Sequence, residues 1–198
     1  MAQTVGDFLV QRLYDWGVRV IFGYPGDGIN GVFGALNRSG EKIKFVQARH
    51  EEMAAFMASA YAKFTGKLGV CIATSGPGAT HLITGLYDAR LDHTPVLAIC
   101  GQQARAALGG HYQQELDLTS LFKDVAGEFV QQASVPAQVR HLVDRAIRSA
   151  VGRRRVAAII LPNDLQDEAY EEPPRAHGTI HSGVGFVPPA PLPTEAEL

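Results

Sequence analysis

The chain is short of the residues that mark several protein classes. Its 198 residues include only two cysteines, Cys71 and Cys100, each inside a short aliphatic run. A disulfide framework needs more than one possible pair, so both are expected as small buried hydrophobes. No apolar run approaches the ~20 residues that span a bilayer. Met1-Ala2-Gln3-Thr4 lacks the basic segment and apolar stretch of a secretory signal, so the cytoplasm is the expected compartment. Neither sign of charge dominates: the net charge is −2, which gives no general reason to bind nucleic acid or an anionic membrane.

What is present is an ordinary globular composition, 46% apolar and 19% charged, enough for one domain with a full core and a tail. Short β-type runs alternate with helical patterns. Thr4 and Asp7 form a capping-box pattern ahead of Phe8, Leu9, Leu13 and Trp16 at helical spacing, with Gly17 at the end. Strands are expected over 18–22, 43–46, 68–73, 95–100 and 156–161, and helices over 29–36, 51–64, 79–89 and 135–151. Strands apolar on both faces and separated by helices imply an α/β fold. It is a three-layer, doubly wound, mostly parallel sheet with helices on both faces. Such sheets bind ligands beyond the carboxyl ends of their strands. Residues 1–165 form the expected domain. Residues 166–198, with Pro173, Pro174, Pro188, Pro189, Pro191 and Pro193, read as a Pro-rich linker toward an absent central domain. Pro193 to Leu198 resembles the start of a capped helix, so the chain is expected to stop at a domain boundary.

Gly26-Asp27-Gly28-Ile29-Asn30-Gly31 matches G-x-G-x-x-G between a strand and a helix, and Glu51 lies twenty residues beyond it. That spacing suits a dinucleotide-binding Rossmann domain for NAD. Against it, Gly23-Tyr24-Pro25 separates the strand from the first glycine, and Gln47-Ala48-Arg49-His50 precedes the acid. A turn that merely needs glycines stays open as the simplest account.

Three segments, in order and at matching spacing, resemble one family. Phe22-Gly23-Tyr24-Pro25-Gly26, Arg49-His50-Glu51-Glu52 with its Ala-rich helix, and Thr74-Ser75-Gly76-Pro77-Gly78-Ala79-Thr80 are similar to the pyrimidine-binding domain of thiamine-diphosphate-dependent enzymes of acetolactate synthase and pyruvate oxidase type. The resemblance covers roughly residues 1–165. It implies that Glu51 hydrogen-bonds the N1′ atom of the aminopyrimidine and so activates the cofactor. A carboxyl group in an apolar pocket favours its protonated form and can share that proton. A glutamate in a first helical turn also complements the helix dipole, which fits Glu51 and Glu52 equally. Gly23, Tyr24, Pro25 and Gly26 are implied to line the pyrimidine pocket. Thr74, Ser75, Gly76, Pro77 and Gly78 are implied to form the loop passing close to the cofactor. His81 joins the implied cofactor-binding set without a catalytic role, and a helix histidine with its own partner is the alternative. Gln114, with Glu115, partly matches a Phe-Gln-Glu segment near the reacting centre, although Gln113 stands where Phe is usual. Lys123 is expected in solvent, and Arg153-Arg154-Arg155 as an exposed or interdomain charge run.

His81 stands where acetolactate synthases tend to carry Asn. That and the segment from Asp92 to Ile99 favour a pyruvate oxidase or quinone-dependent pyruvate dehydrogenase, acting on pyruvate or another 2-oxo acid. An acetolactate synthase-type carboligase is the alternative, and a stand-alone binding or regulatory module the alternative of another class. Mg²⁺ and FAD are implied for the full-length protein but not for these residues. The family's Gly-Asp-Gly with a later Asn has no counterpart, since the asparagines are Asn30, Asn37 and Asn163. No metal ligands are therefore expected. The resemblance also implies a homodimer or tetramer, with any membrane or quinone contact made through absent domains.

Overall fold

A computed structural model describes residues 3–173, 183–190 and 192–193. In chain order the elements are α1 (Val5–Asp15), β1 (Val20–Gly23), α2 (Asn30–Arg38), β2 (Lys44–Gln47), α3 (Glu51–Thr65), β3 (Gly69–Ala73), α4 (Pro77–Leu91), β4 (Val96–Gln102), α5 (Leu118–Phe122), β5 (Val130–Gln132), α6 (Val139–Arg153), β6 (Val156–Pro162) and α7 (Asn163–Gln166). The six strands make one sheet in the order β2-β1-β3-β4-β6-β5, with every pairing parallel. The expected three-layer α/β architecture is thus what the chain adopts.

The central strands are apolar on both faces, and successive side chains serve different cores. Val70, Ile72, Leu97, Ile99, Ala157, Ile159 and Leu161 join α1, α2 and α6 on one face. Cys71, Ala73, Ala98, Cys100, Val156, Ala158 and Ile160 join α3, α4 and Phe122 of α5 on the other. Both cysteines are free and buried, and desolvation pushes the Cys71 thiol up to about 12, which leaves it unreactive.

The helix ends obey local chemistry. Thr4 and Asp7 close a reciprocal capping box, each side chain accepting from the other's backbone N–H at 3.1 Å. Pro77 starts α4 two residues before the expected Ala79, because proline is pre-organised for the first helical turn. Pro136 has the reverse effect on α6: Val135 stays extended before it, a 3-10 turn follows, and the helix proper begins at Val139. β5, α5 and α7 lie outside the elements expected from sequence. β5 is a three-residue edge strand carrying two glutamines, too short and polar for a periodic signal. Packing also continues past residue 165, where Thr4 bridges Ala169 and the Phe8 and Tyr170 rings stack at 3.6 Å. The helix start expected from Thr194 onward lies outside the described residues.

One buried charge ties α1 to α6. Asp144 is fully buried and accepts from Arg12 Nε and Nη2 at 2.8 and 2.7 Å and from Trp16 Nε1 at 2.6 Å. The hydrogen bonds to Asp144 raise the Arg12 pKa above its ordinary value. Removing one partner strands a buried charge, so Asp144→Ala or Arg12→Ala is expected to cost about 3–5 kcal/mol in urea denaturation. The double replacement Arg12→Met with Asp144→Leu costs clearly less, because no buried charge is left unpaired.

Candidate functional site

Strand order reverses at β1, with β2 on one side and β3 on the other. In a doubly wound sheet that switch point opens a crevice beyond the carboxyl ends of the strands. The segments leaving β1, β2, β3 and β4 all emerge there, and they carry the residues singled out from sequence.

The β1 turn is shaped by absent side chains. A Cβ on Gly23 would stand 2.4 Å from Ile72 Cγ2, one on Gly26 2.6 Å from Thr74 Cβ, and one on Gly28 2.7 Å from Ser75 Oγ. Gly28 N–H donates to Thr74 Oγ1 at 2.9 Å, which fastens the turn to the end of β3. Tyr24 and Pro25 remain exposed at its tip. The third glycine of the G-x-G-x-x-G pattern, Gly31, packs on Gln166, whose Oε1 accepts from Val32 N–H at 3.3 Å and whose Nε2 donates to Gly28 O at 2.8 Å. A dinucleotide would need that helix N-terminus and that backbone surface for its pyrophosphate. The protein's own Gln166 and Thr74 take the space, so the NAD-binding reading is rejected. Gln166 is fully buried, and nothing in its local sequence distinguishes it from a linker residue.

Glu51 opens α3 behind the N-cap His50, whose Nδ1 accepts from Glu52 N–H at 3.3 Å. Burial separates the two acids that a dipole argument could not: Glu51 is 8% exposed, and Glu52 is half-buried. The sequence led to an apolar surround for the carboxyl group, and the structure corrects this. His81, in the second turn of α4, places Nδ1 2.9 Å from Glu51 Oε2, a hydrogen bond between imidazole and carboxyl group. The His50 and His81 rings lie 4.4 Å apart between centroids. Oε1 of Glu51 faces Gly78, where an added Cβ would stand 3.4 Å away, and it has no hydrogen-bond partner among the described residues. The His50–Glu51–His81 grouping went unnoticed in the sequence, because thirty positions separate its members.

The loop after β3 is a hub. Ser75 is fully buried; its hydroxyl accepts from Gln103 Nε2 at 3.2 Å and reaches Gln114 Oε1 at 3.4 Å. Gly76 has φ +59°, and a Cβ there would stand 2.7 Å from Gln114 Cβ. Gln114 is itself left-handed at φ +65°, an uncommon conformation for a residue with a side chain. Glu115 holds this shape by accepting from Gly109 N–H at 2.6 Å and Tyr112 N–H at 3.0 Å, bonds that lower its pKa. Thus Gly76, Ser75 and Gln114 meet, while Thr74 joins the β1 turn and Pro77 stays on the surface. Lys123 is exposed, and Arg153 pairs with Glu128.

Fold and site together define a doubly wound α/β domain that presents a buried carboxyl group and glycine-lined backbone at its switch point. The chain belongs to the thiamine pyrophosphate enzyme family, as its N-terminal TPP binding domain: residues 3–121 match that family. It is 42% identical over 160 residues to the pyruvate oxidase of Lactiplantibacillus plantarum, covering 81% of this chain and 26% of that protein. It is 38% identical over 183 residues to the acetolactate synthase of Arthrospira platensis (91% and 31%). The acetolactate synthase of Mycobacterium avium is 39% identical over 181 residues (88% and 28%). The chain therefore spans less than a third of the length of these relatives.

Gly76→Ala is expected to destabilise the domain by ~1–3 kcal/mol, since it adds a side chain at positive φ against Gln114; a denaturation midpoint checks this. The lowered Glu115 pKa implies loop order that is complete above the ordinary carboxylate range and lost as pH falls through the depressed value. Amide exchange at residues 109–115 should therefore accelerate at acid pH before the β-sheet amides respond.

Proposed function

We propose that this domain belongs to a 2-oxo acid decarboxylating enzyme of pyruvate oxidase type, in which Glu51 activates the cofactor from its pyrimidine end. The carrying observation is the Glu51 carboxyl group, buried at the β1/β3 switch point with Oε1 open beside a residue that has no Cβ. This fits an aminopyrimidine ring, which needs one acceptor or shared proton at N1′ and backbone that lets it approach. Bound thiamine diphosphate supplies the carbanion chemistry of 2-oxo acid decarboxylation.

The chain's own part is to bind, orient and hold a proton. Oε1 of Glu51 would be the atom that binds the pyrimidine nitrogen, and the fixed packing of α3 keeps the carboxyl group aimed. His81 holds Oε2 and so helps to fix the orientation of the carboxyl group. Gly78 leaves the approach open, and Gly76 with Ser75 holds Gln114 over the crevice rim.

The diphosphate end does not fit these residues. Asp27 is exposed with Oδ1 3.5 Å from Asn30 Nδ2, and no oxygen-rich set suited to Mg²⁺ occurs among the described residues. Mg²⁺, the diphosphate and FAD are assigned to other domains of the full-length protein. The oxidase branch rests on His81 within Gly76-Pro77-Gly78-Ala79-Thr80-His81 and on the 42% identity to a pyruvate oxidase. The carboligase reading keeps support from the synthase relatives at 38–39%.

The test is pyruvate turnover by the full-length enzyme with thiamine diphosphate, Mg²⁺ and a dye acceptor. Glu51→Gln is expected to lower kcat by roughly 10²–10⁴-fold, the range of a lost proton-transfer partner. Dye reduction supports the oxidase branch, and acetolactate formed without it supports the carboligase. Full activity in the variant overturns the role of Glu51.

A further inference from the structure

We propose that Arg105 is a positioning residue: its guanidinium clasps the loop between β4 and α5, residues 103–117, and so fixes where Gln114 stands at the crevice rim. The consequence for the substrate rests on the decarboxylase reading, whereas the clasp itself does not.

Arg105 gathers acceptors from two distant segments. Its backbone N–H and Nε donate to Asp164 Oδ1 and Oδ2 at 3.1 and 2.9 Å, Nη1 donates to Ser134 O at 2.7 Å, and Nη2 pairs with Glu168. Acceptors set around a planar fork suit a guanidinium, and a lysine ammonium meets only part of the set. Beyond Arg105 the loop bonds mainly to itself. Ala107 N–H donates to Ala104 O, Gly110 N–H to Ala107 O, and the Gly109 and Tyr112 N–H groups to Glu115. Outside anchorage returns at Gln114, whose Oε1 lies 3.4 Å from Ser75 Oγ, and at Leu116, whose O accepts from Gln102 Nε2 at 2.8 Å. The left-handed Gln114 therefore lies between the Arg105 clasp and the Leu116 tether. A residue in that conformation keeps it only while its surroundings impose it.

The support behind the clasp is shared. Asp164 belongs to α7, whose Gln166 donates to Gly28 O at 2.8 Å. One short helix thus grips the turn after β1 with one side chain and the loop after β4 with another, which sets the two against each other. Glu168 is itself held, its O accepting from Val5 N–H at 2.9 Å. The Arg105 and Asp164 side chains are 31% and 33% exposed, and ion pairs so placed add little to global stability. Loss of the clasp therefore reads out in the loop rather than in unfolding.

The test uses the full-length enzyme with Arg105→Met, Arg105→Lys, Asp164→Ala and the double replacement Arg105→Met with Asp164→Ala. Amide exchange at residues 104–117 is expected to quicken about tenfold in Arg105→Met and Asp164→Ala, while the sheet amides and the denaturation midpoint hold. KM for pyruvate rises about five- to tenfold with kcat little changed, because only a fraction of the molecules holds the loop in the competent position. Arg105→Lys recovers part of the loss. The double replacement costs less than the sum of the two, since both break one set of contacts. Unchanged exchange in Arg105→Met, or strictly additive effects, overturns the clasp. Faster exchange with an unchanged KM overturns the positioning role. If the unmodified enzyme does not turn over pyruvate, the decarboxylase reading falls, and the exchange measurement alone upholds or overturns the clasp.

Discussion

The structure depends on how closely α3 and α4 approach the sheet. A Cβ on Gly69 would stand 2.1 Å from the carbonyl oxygen of Ala58, so β3 and α3 meet backbone to backbone. That contact needs glycine on the strand and alanine on the helix. It explains why α3 buries Ala54, Ala55, Ala58 and Ala62 rather than larger side chains. Interiors packed this tightly deform little, so they hold the ends of the elements in fixed relation. Glu51 and His81 occupy two such ends.

From that packing the site follows with few further devices. The carboxyl group is buried because it begins a helix pressed on the sheet. The turns leaving β1 and β3 then lock together through Gly28 N–H and Thr74 Oγ1. Ser75 carries the connection to the segment after β4. Gly76 and Gln114, both at positive φ, abut here, and Gln114 carries strain because it has a side chain, as do His93, His111 and Arg154 elsewhere. Such strain persists only where surrounding structure over-determines it, and here Glu115 and Ser75 supply the constraint.

Much of this could be read from the sequence, for identifiable reasons. Strands such as Ile99 to Cys100 and Ala158 to Ile160 are apolar on both faces, which marks a parallel sheet before any coordinates. The Thr4–Asp7 box marks the first helix, and the Gly-Pro-Gly run marks the fourth. The contacts that carry the argument furthest were not legible. Burial of Glu51 rather than Glu52 depends on how α3 is rotated on the sheet, which neighbouring identical residues do not encode. The His81–Glu51 pair and the Gln166 contacts join positions 30 and 138 residues apart in the chain. The G-x-G-x-x-G match misled for the same reason: local spacing cannot reveal that Gln166 fills the place of a pyrophosphate.

Gln166 also bears on the order in which the protein is made. The turn at residues 23–28 leaves the ribosome early, yet Gly28 O and Val32 N–H find their partner only in the segment after the last strand. Closing so long a loop costs entropy before it returns any contact. On vectorial synthesis these two groups cannot meet Gln166 until the segment after β6 has been made, so the hydrogen bonds that complete the turn depend on the far end of the domain. The turn nearest the N-terminus is thus completed by a residue from the opposite end of the domain.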